Sequence, residues 1–260
     1  INVCLRVNPN VDAKTHEKIS TGRSEDKFGV SDKRIFDIFK KYKTNRFVKI
    51  IGLSIHIGSQ IVLLEPFNRA FKKIKLQIVK LKKEGFDVSS LDLGGGVGIK
   101  YNDKNKILDI KSYAKLIDEL FSDLDLEIII EPGRYLVGSS GIILSKVIRT
   151  KSGINKDFVI IDAGMDNLIR PALYGAEHKI IPVKKKDQTN LKTYEIVGPI
   201  CETSDVFIKK MKIHRLNSND LVVICSAGAY SSCMASNYNL REPAKEVFIK
   251  KKKIFLSNNL

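Results

Sequence analysis

The stretch LDLGGGVGIKY, residues 91–101, sets three consecutive glycines after a short apolar run, with a fourth glycine two residues later. Glycine inside a strand or helix costs roughly 0.5–1 kcal/mol relative to alanine, so this run needs a structural reason. Backbone N–H groups at a strand end can form a nest for an anion, and glycine lets a phosphate approach without a Cβ in the way. The stretch therefore predicts a strand followed by a phosphate-binding turn, or else a tight turn before a helix.

The spacing of these glycines excludes the two common nucleotide loops. A dinucleotide-binding loop needs G-x-G-x-x-G, but the third residue after Gly96 is Ile99. A P-loop ends in G-K-[ST], and no such ending follows. A phosphate bound here should belong to a cofactor other than NAD or ATP.

The two halves of the chain have different hydrophobic patterns. The first half predicts strands over 3–7, 48–57, 91–93 and 126–130, with helices over 31–41, 65–84 and 110–121. This β-α-β repeat is typical of a parallel sheet. The second half predicts strands over 142–148, 158–161, 194–197, 206–213, 221–224 and 247–255 with little helix between them, which indicates an antiparallel β domain.

The number of β/α units is too small for a complete (β/α)₈ barrel. A closed (β/α)₈ barrel needs eight units in about 250 residues, whereas residues 1–136 provide about half of them. Either the sheet is open, or the first half of a barrel precedes Ile1. We expect the second arrangement, with a partial barrel over 1–136 and a β domain over 137–260.

Polar residues gather at the predicted strand ends. His56 and Ser59 follow one strand, and Glu131 and Arg134 follow another. Ligands of parallel α/β folds bind at the carboxyl ends of the strands. A guanidinium can bind a phosphate or carboxylate with two hydrogen bonds. The alternatives are a core histidine for His56 and a surface turn with a local ion pair for 131–134.

The composition narrows the class of protein. The net charge is +16, but the lysines that dominate it are dispersed along the chain and no nucleic-acid-binding motif is present, so no nucleic-acid partner is expected. No stretch approaches the roughly 18 uninterrupted apolar residues of a membrane span, so no membrane is expected either. The four cysteines form no CxxC pair and no metal-like spacing, which predicts no metal and a cytoplasmic location.

Seven stretches together resemble the diaminopimelate decarboxylases, members of the alanine-racemase-like class of pyridoxal-phosphate enzymes that includes the class-II ornithine, lysine and arginine decarboxylases. The matches run almost end to end and include LRVNPNVDAKTHEKISTGRSEDKFGVS (5–31), HIGSQ (56–60), the glycine stretch (91–101), EPGR (131–134), IRPALY (169–174), PICE (199–202) and AGAY (227–230). The resemblance implies the C-terminal half of a (β/α)₈ barrel followed by an antiparallel β-sandwich or β-barrel domain.

The resemblance also implies pyridoxal 5'-phosphate as the cofactor and assigns residues to it. His56 would stack on the pyridine ring and take part in catalysis, and Glu131 would pair with the ring nitrogen. The remaining implied cofactor residues are Ser59, Gly94, Gly95, Gly96, Pro132, Gly133, Arg134 and Tyr230. Gly96 is the strongest candidate for a backbone N–H bond to the phosphate.

The implied reaction is decarboxylation of meso-2,6-diaminopimelate to L-lysine and CO₂. Arg170 and Arg134 would bind the distal carboxylate, and Glu202 the distal ammonium. Tyr174, one helical turn after Arg170, and Tyr230 would complete the substrate pocket. Cys201 would be the catalytic proton donor, with a small buried hydrophobe as its alternative.

The resemblance further implies a homodimer with shared active sites, in which Lys27 and Asp205 form an interface pair. The family's Schiff-base lysine, in a stretch similar to YAVKAN, has no counterpart here and is expected upstream of Ile1. This chain alone is therefore expected to be inactive. The alternatives are a decarboxylase of ornithine, arginine or carboxynorspermidine, and a non-catalytic homologue that lacks the lysine.

Overall fold

The computed structural model describes residues 1–13, 16, 19, 21–23, 25–184 and 191–256. Parts of the matched stretch 5–31 and the last four residues lie outside these ranges. The chain forms two compact units. The first contains Ile1–Lys100 and Lys104–Leu136, and the second contains Tyr101–Asp103 and Val137–Leu260.

The first unit alternates strands and helices. In chain order its elements are β1 (Asn2–Arg6), α1 (Asp32–Tyr42), β2 (Lys49–Ser54), α2 (Leu64–Lys83), β3 (Ser90–Asp92), α3 (Ile110–Phe121), β4 (Glu127–Ile129) and α4 (Gly133–Val137). The strands form one parallel sheet in the order β1-β2-β3-β4. This confirms the predicted β-α-β repeat. It is the arrangement of consecutive units in a barrel, with all strand carboxyl ends at one edge.

The helices of this unit form because their apolar residues recur at helical spacing. α2 buries Phe67, Phe71, Ile74 and Ile78 against the sheet, while its lysines lie mostly on the other side. α3 begins where the Asp109 carboxylate accepts hydrogen bonds from two backbone N–H groups of the first turn. These packed helices fix the loops at the strand ends.

The second unit is built on a six-stranded sheet in the order β7-β10-β5-β6-β8-β9. Its elements are β5 (Ile143–Ser152), β6 (Asp157–Ile161), α5 (Arg170–Tyr174), β7 (Ile180–Pro182), β8 (Leu191–Val197), β9 (Val206–His214), β10 (Leu221–Ile224), β11 (Val247–Lys250) and β12 (Lys253–Leu256). The expectation of a purely antiparallel sheet is wrong at one pair, since β6 and β8 run parallel. Alternation of side chains predicts strands, but it does not specify the direction of their neighbours.

Two further sequence predictions in this unit need correction. The strand predicted over 247–255 is a hairpin, because Lys251 and Lys252 adopt positive φ and turn the chain between β11 and β12. The short strand β7 and the one-turn helix α5 were not predicted, since three to five residues are too few to show a period. Among the helices of the described residues, none combines the length and apolarity needed to cross a membrane.

Candidate functional site

The glycine run after β3 lies directly against neighbouring backbone. A Cβ on Gly95 would be 2.0 Å from the carbonyl oxygen of Glu131, and one on Gly96 would be 2.1 Å from that of Gly58. Gly94 and Gly96 also have φ of +67° and +91°, values that L side chains rarely adopt. The backbone of the flanking strand ends therefore requires these glycines, whether or not a ligand is present.

The N–H groups of the run are not equivalent. Gly94 donates its N–H to the Asp92 carboxylate at 2.8 Å, and Gly95 donates to Nδ1 of His56 at 3.1 Å. The N–H of Gly96 donates no hydrogen bond to any of the described residues. Of the three predicted phosphate donors, Gly96 is the one whose N–H remains available to a ligand.

Ser59 and Arg134 lie on the strand ends on either side of the glycine run, and their side chains are hydrogen-bonded to each other. Nη2 of Arg134 is 2.9 Å from the Ser59 hydroxyl oxygen, which joins the loop after β2 to the helix after β4. Ser59 follows Gly58, against which Gly96 packs. Arg134 is only 7% exposed, so its guanidinium is held in place. A hydroxyl, a guanidinium and a backbone N–H thus lie on neighbouring strand ends at one edge of the sheet, and these are the donor types that suit a phosphate dianion.

His56 presents a neutral imidazole beside this donor set. Its Nδ1 accepts the Gly95 N–H, so the ring proton lies on Nε2. Burial lowers the pKa of His56 most strongly, the nearby Arg6 cation lowers it further, and Asp92 opposes them. A flat, uncharged ring at this place can stack on a heterocycle without repelling a positive charge.

The stretch 131–133 continues from β4. The Glu131 N–H donates to the Gly94 carbonyl at 2.8 Å, which fixes the residue beside the glycine run, and its side chain is exposed. Pro132 is half-buried and precedes the helix that contains Arg134. A Cβ on Gly133 would meet nothing within 4 Å, so this glycine is not required by packing.

In the second unit, Arg170 and Tyr174 are the first and last residues of α5. Arg170 is 3% exposed, its guanidinium carbon is 4.3 Å from the centre of the Tyr101 ring, and its Nη1 is 2.7 Å from Nε2 of His178. Tyr174 is half-buried, and α5 ends at Gly175 in the left-handed conformation. The predicted substrate-binding arginine is therefore fixed within a buried cluster.

Cys201 and Glu202 lie on the loop between β8 and β9, and both are exposed. This exposure excludes the alternative of a small buried hydrophobe for Cys201, while its role as proton donor stays a prediction. The Cys201 N–H donates to the Asn239 side chain at 3.3 Å. A hydrogen bond from Ser204 lowers the pKa of Glu202, and one from Tyr238 adds to it. The loop therefore presents a thiol beside an ionised carboxylate.

Two further polar residues of this loop differ in exposure. Ser204 is exposed, and its φ is not in the left-handed region. Asp205 is 3% exposed and accepts the N–H groups of Met165 and Ile200 at 2.8 and 2.9 Å. Burial raises the pKa of Asp205, and these hydrogen bonds oppose the rise. Its carboxylate thus accepts two hydrogen bonds inside its own unit, and the pair with Lys27 across a subunit boundary stays a prediction.

Tyr230 is 41% exposed and has φ +60°. A bulky residue in the left-handed region is strained, and such strain is common at functional sites. His178, Tyr238 and Asn239 have no role predicted from the sequence, although all three lie in stretches close to the predicted site residues. Their contacts with Arg170, Glu202 and Cys201 distinguish them.

Comparison with known proteins shows the family of this chain. Residues 1–138 match the model of a family described as pyridoxal-dependent decarboxylase, pyridoxal binding domain. The chain is 46% identical over 247 residues to diaminopimelate decarboxylase of Neisseria meningitidis serogroup B, a match that covers 95% of this chain and 59% of that protein. It is 39% identical to the corresponding protein of Aquifex aeolicus, over 95% of this chain and 59% of that one.

A solved structure agrees with these relatives. The crystal structure of diaminopimelate decarboxylase from Helicobacter pylori, complexed with L-lysine, superposes with a TM-score of 0.93 at 39% identity. The match covers 98% of this chain and 63% of that one. The chain thus spans about three fifths of the length of the relatives that it matches.

Proposed function

Because this chain belongs to the pyridoxal-dependent decarboxylase family, we propose that it forms part of an enzyme that converts meso-2,6-diaminopimelate to L-lysine and CO₂. The proposal rests on the hydrogen bond between the Arg134 guanidinium and the Ser59 hydroxyl, at the same edge of the parallel sheet as the available Gly96 N–H. The diaminopimelate decarboxylases among its relatives support the choice of substrate. Pyridoxal phosphate is the cofactor of the family.

The first unit would bind and orient the cofactor. Gly96, Ser59 and Arg134 would hold its phosphate, and the neutral ring of His56 would stack on the pyridine. Glu131 would keep the ring nitrogen protonated. Bound pyridoxal phosphate supplies an electron sink for the pair of electrons left on carbon when CO₂ departs.

The second unit would bind the distal end of the substrate. The guanidinium of Arg170 suits the distal carboxylate, and Tyr174 on the same helix would complete that contact. The exposed carboxylate of Glu202 suits the distal ammonium, because the hydrogen bond from Ser204 favours its ionised form. Tyr230 would contact both cofactor and substrate. Since Arg134 is bonded to Ser59, we assign it first to the phosphate rather than to the substrate carboxylate.

Cys201 would complete the reaction. When the bond between the reacting carbon and its carboxylate breaks, the electron pair remains with the carbon, and the thiol of Cys201 donates a proton there. The resulting thiolate then recovers a proton from water. An exposed thiol can perform this exchange with solvent, whereas a buried one cannot.

The wider arrangement is also part of the proposal. We infer that the four parallel strands belong to a closed eight-stranded barrel in the whole protein and that the second unit is its β-sandwich or β-barrel domain. We propose a cytoplasmic homodimer with shared active sites. These features follow from the family and stay predictions.

The complete product of the gene that encodes these residues provides the test. With pyridoxal phosphate present, we expect equal amounts of CO₂ and L-lysine from meso-diaminopimelate. Ornithine, arginine and carboxynorspermidine are the comparison substrates, and preference for one of them would replace diaminopimelate. No decarboxylation of any of the four, despite bound cofactor, would favour a non-catalytic homologue.

A further inference from the structure

Arg170 lies in a buried cluster with two aromatic rings of the second unit. Its Nη1 is 2.7 Å from Nε2 of His178, and its guanidinium carbon is 4.3 Å from the centre of the Tyr101 ring. The rings of Tyr101 and His178 meet edge to face at 4.7 Å between centroids. His178 is only 2% exposed. These contacts hold the guanidinium by its face and by its edge at the same time.

The hydrogen bonds of His178 determine where its proton lies. Nδ1 is 2.9 Å from the carbonyl oxygen of Cys225. A carbonyl can only accept, so Nδ1 bears the proton. A guanidinium can only donate, so Nε2 must offer its lone pair to Arg170. An imidazole that donates at one nitrogen and accepts at the other is neutral.

The backbone beside His178 is fixed on both sides. The Lys179 N–H donates to the Tyr101 carbonyl at 2.9 Å, and the Lys179 carbonyl accepts the Cys225 N–H at 2.8 Å. Tyr101 is the last residue of the glycine-rich stretch, and Cys225 follows β10. The imidazole is therefore anchored to two separate segments of the unit and has little freedom to turn away from Arg170.

We infer that His178 is a positioning residue that holds the Arg170 guanidinium in the orientation that binds the distal carboxylate of a diaminodicarboxylate substrate. The inference rests on the proposed function. A neutral imidazole and an aromatic face both orient the guanidinium without cancelling its charge. A carboxylate in the place of His178 would bind Arg170 more strongly, but it would compete with the carboxylate of the substrate.

Two substitutions of His178 distinguish the positioning of Arg170 from a role of His178 in packing alone. His178→Phe keeps the ring volume but offers no acceptor to Arg170. His178→Gln places an amide oxygen near the former Nε2 position and can still accept. Both variants lose the hydrogen bond to Cys225, so they differ mainly in the contact with Arg170. If thermal unfolding shows that His178→Phe does not fold, His178→Leu replaces it.

Ligand binding is the first measurement. Calorimetric titration of the complete, cofactor-loaded protein compares L-lysine, which retains the distal carboxylate, with 1,5-diaminopentane, which lacks it. We expect His178→Phe to weaken L-lysine binding about tenfold or more, since a carboxylate contact is lost, with diamine binding unchanged. His178→Gln should stay within about threefold of the original protein, because it retains the acceptor.

Nitrogen NMR of the imidazole is the second measurement, and it does not depend on the reaction. We expect the Nδ1–H form of His178 at neutral pH. An Nε2–H form, or unchanged L-lysine binding by a folded variant that lacks the acceptor, would overturn the inference while leaving the proposed function intact. Failure of the original protein to decarboxylate diaminopimelate would overturn both.

Discussion

The two units place their candidate residues in different ways. In the parallel sheet, Ser59, Gly96 and Arg134 come from three consecutive strand ends, and Arg134 is bonded to Ser59 while Gly96 packs against Gly58. In the second unit, Arg170 is buried in one cluster while Cys201 and Glu202 lie exposed on a loop. Parallel pairing brings all strand carboxyl ends to one edge. The β unit has no such rule, so each of its residues is fixed by its own side-chain contacts.

The two units should therefore differ in their response to single substitutions. The proposed cofactor-binding groups depend on the close approach of backbone segments, which a single added methyl group can prevent. The proposed substrate-binding groups depend on individual hydrogen bonds, which a single side-chain substitution can remove without disturbing the sheet. Four experiments compare the units on this basis, from the largest expected effect to the smallest.

Gly95→Ala tests the backbone dependence of the first unit. The new Cβ would lie 2.0 Å from the Glu131 carbonyl oxygen, so the backbone of one of the two strand ends would have to shift. We expect a loss of roughly 3 kcal/mol in the free energy of unfolding, measured by urea denaturation. Gly133→Ala is the matched control, because open space surrounds that position and little change is expected. Equal stability of the two variants would contradict the close approach.

Arg170→Ala tests the side-chain dependence of the second unit. Removal of the guanidinium should raise KM for diaminopimelate about 100-fold, since a buried charged contact with the substrate is lost. Initial rates over a range of substrate concentrations give the value. Arg170→Lys keeps the positive charge but lacks the planar fork of the guanidinium, so its KM should lie between those of the original protein and Arg170→Ala. A folded Arg170→Ala variant with normal KM would remove Arg170 from the substrate site.

Arg134→Met tests whether the donors at this edge of the parallel sheet bind a phosphate. The variant keeps most of the buried volume but donates no hydrogen bond, so we expect binding of pyridoxal phosphate to weaken about 30-fold. Absorbance titration measures it. Pyridoxal without the phosphate is the control ligand and should bind both proteins equally. If both ligands weakened together, Arg134 would contact another part of the cofactor.

The last comparison concerns pH, to which the two units should respond in opposite directions. The pKa of His56 is lowered from its ordinary 6.5, so below about pH 6.5 the unfolded chain binds a proton that the native first unit does not, and stability falls on acidification. The pKa of Asp205 is raised from its ordinary 3.8, because the native unit holds this proton more tightly than the unfolded chain does. The resulting stability is fully present below about pH 3.8 and is lost as pH rises through the native pKa.

Amide hydrogen exchange can follow each unit separately. The Gly95 N–H is bonded to His56, and the Ile200 N–H is bonded to Asp205, so they report on the two groups directly. Protection against exchange is compared across pH after correction for the intrinsic exchange rate. His56→Gln should remove the loss of protection at Gly95 on acidification. Asp205→Asn should remove the loss of protection at Ile200 as pH rises. Parallel trends at both amides would show that another group controls the stability.

Much of the first unit was predictable from its sequence. The period of α2 and α3, the apolar strands and the polar strand ends all follow from local patterns. The predicted role of the glycines was incomplete, because only the structure shows that neighbouring backbone excludes a Cβ from them. The carbonyl that approaches Gly95 belongs to Glu131, which is remote in sequence, and no local pattern could reveal it.

The second unit was less predictable for the same physical reason. Strand pairing between β6 and β8, and the contacts of Asp205, are formed by segments far apart in the chain. The PICE and IRPALY stretches indicated Cys201, Glu202 and Arg170 as candidates. They did not indicate that His178 fixes Arg170 or that Tyr238 and Asn239 contact the Cys201 loop.

The sequence by itself determined the kinds of secondary structure, the strand ends that bear polar residues, and the family resemblance. Periodicity and residue type suffice for these features because each depends on neighbours within a few positions. Only the tertiary structure decided which N–H of the glycine run stays available, that Arg134 meets Ser59, and that His178 is neutral. These features depend on distances between residues that are remote in the chain, and folding alone sets those distances.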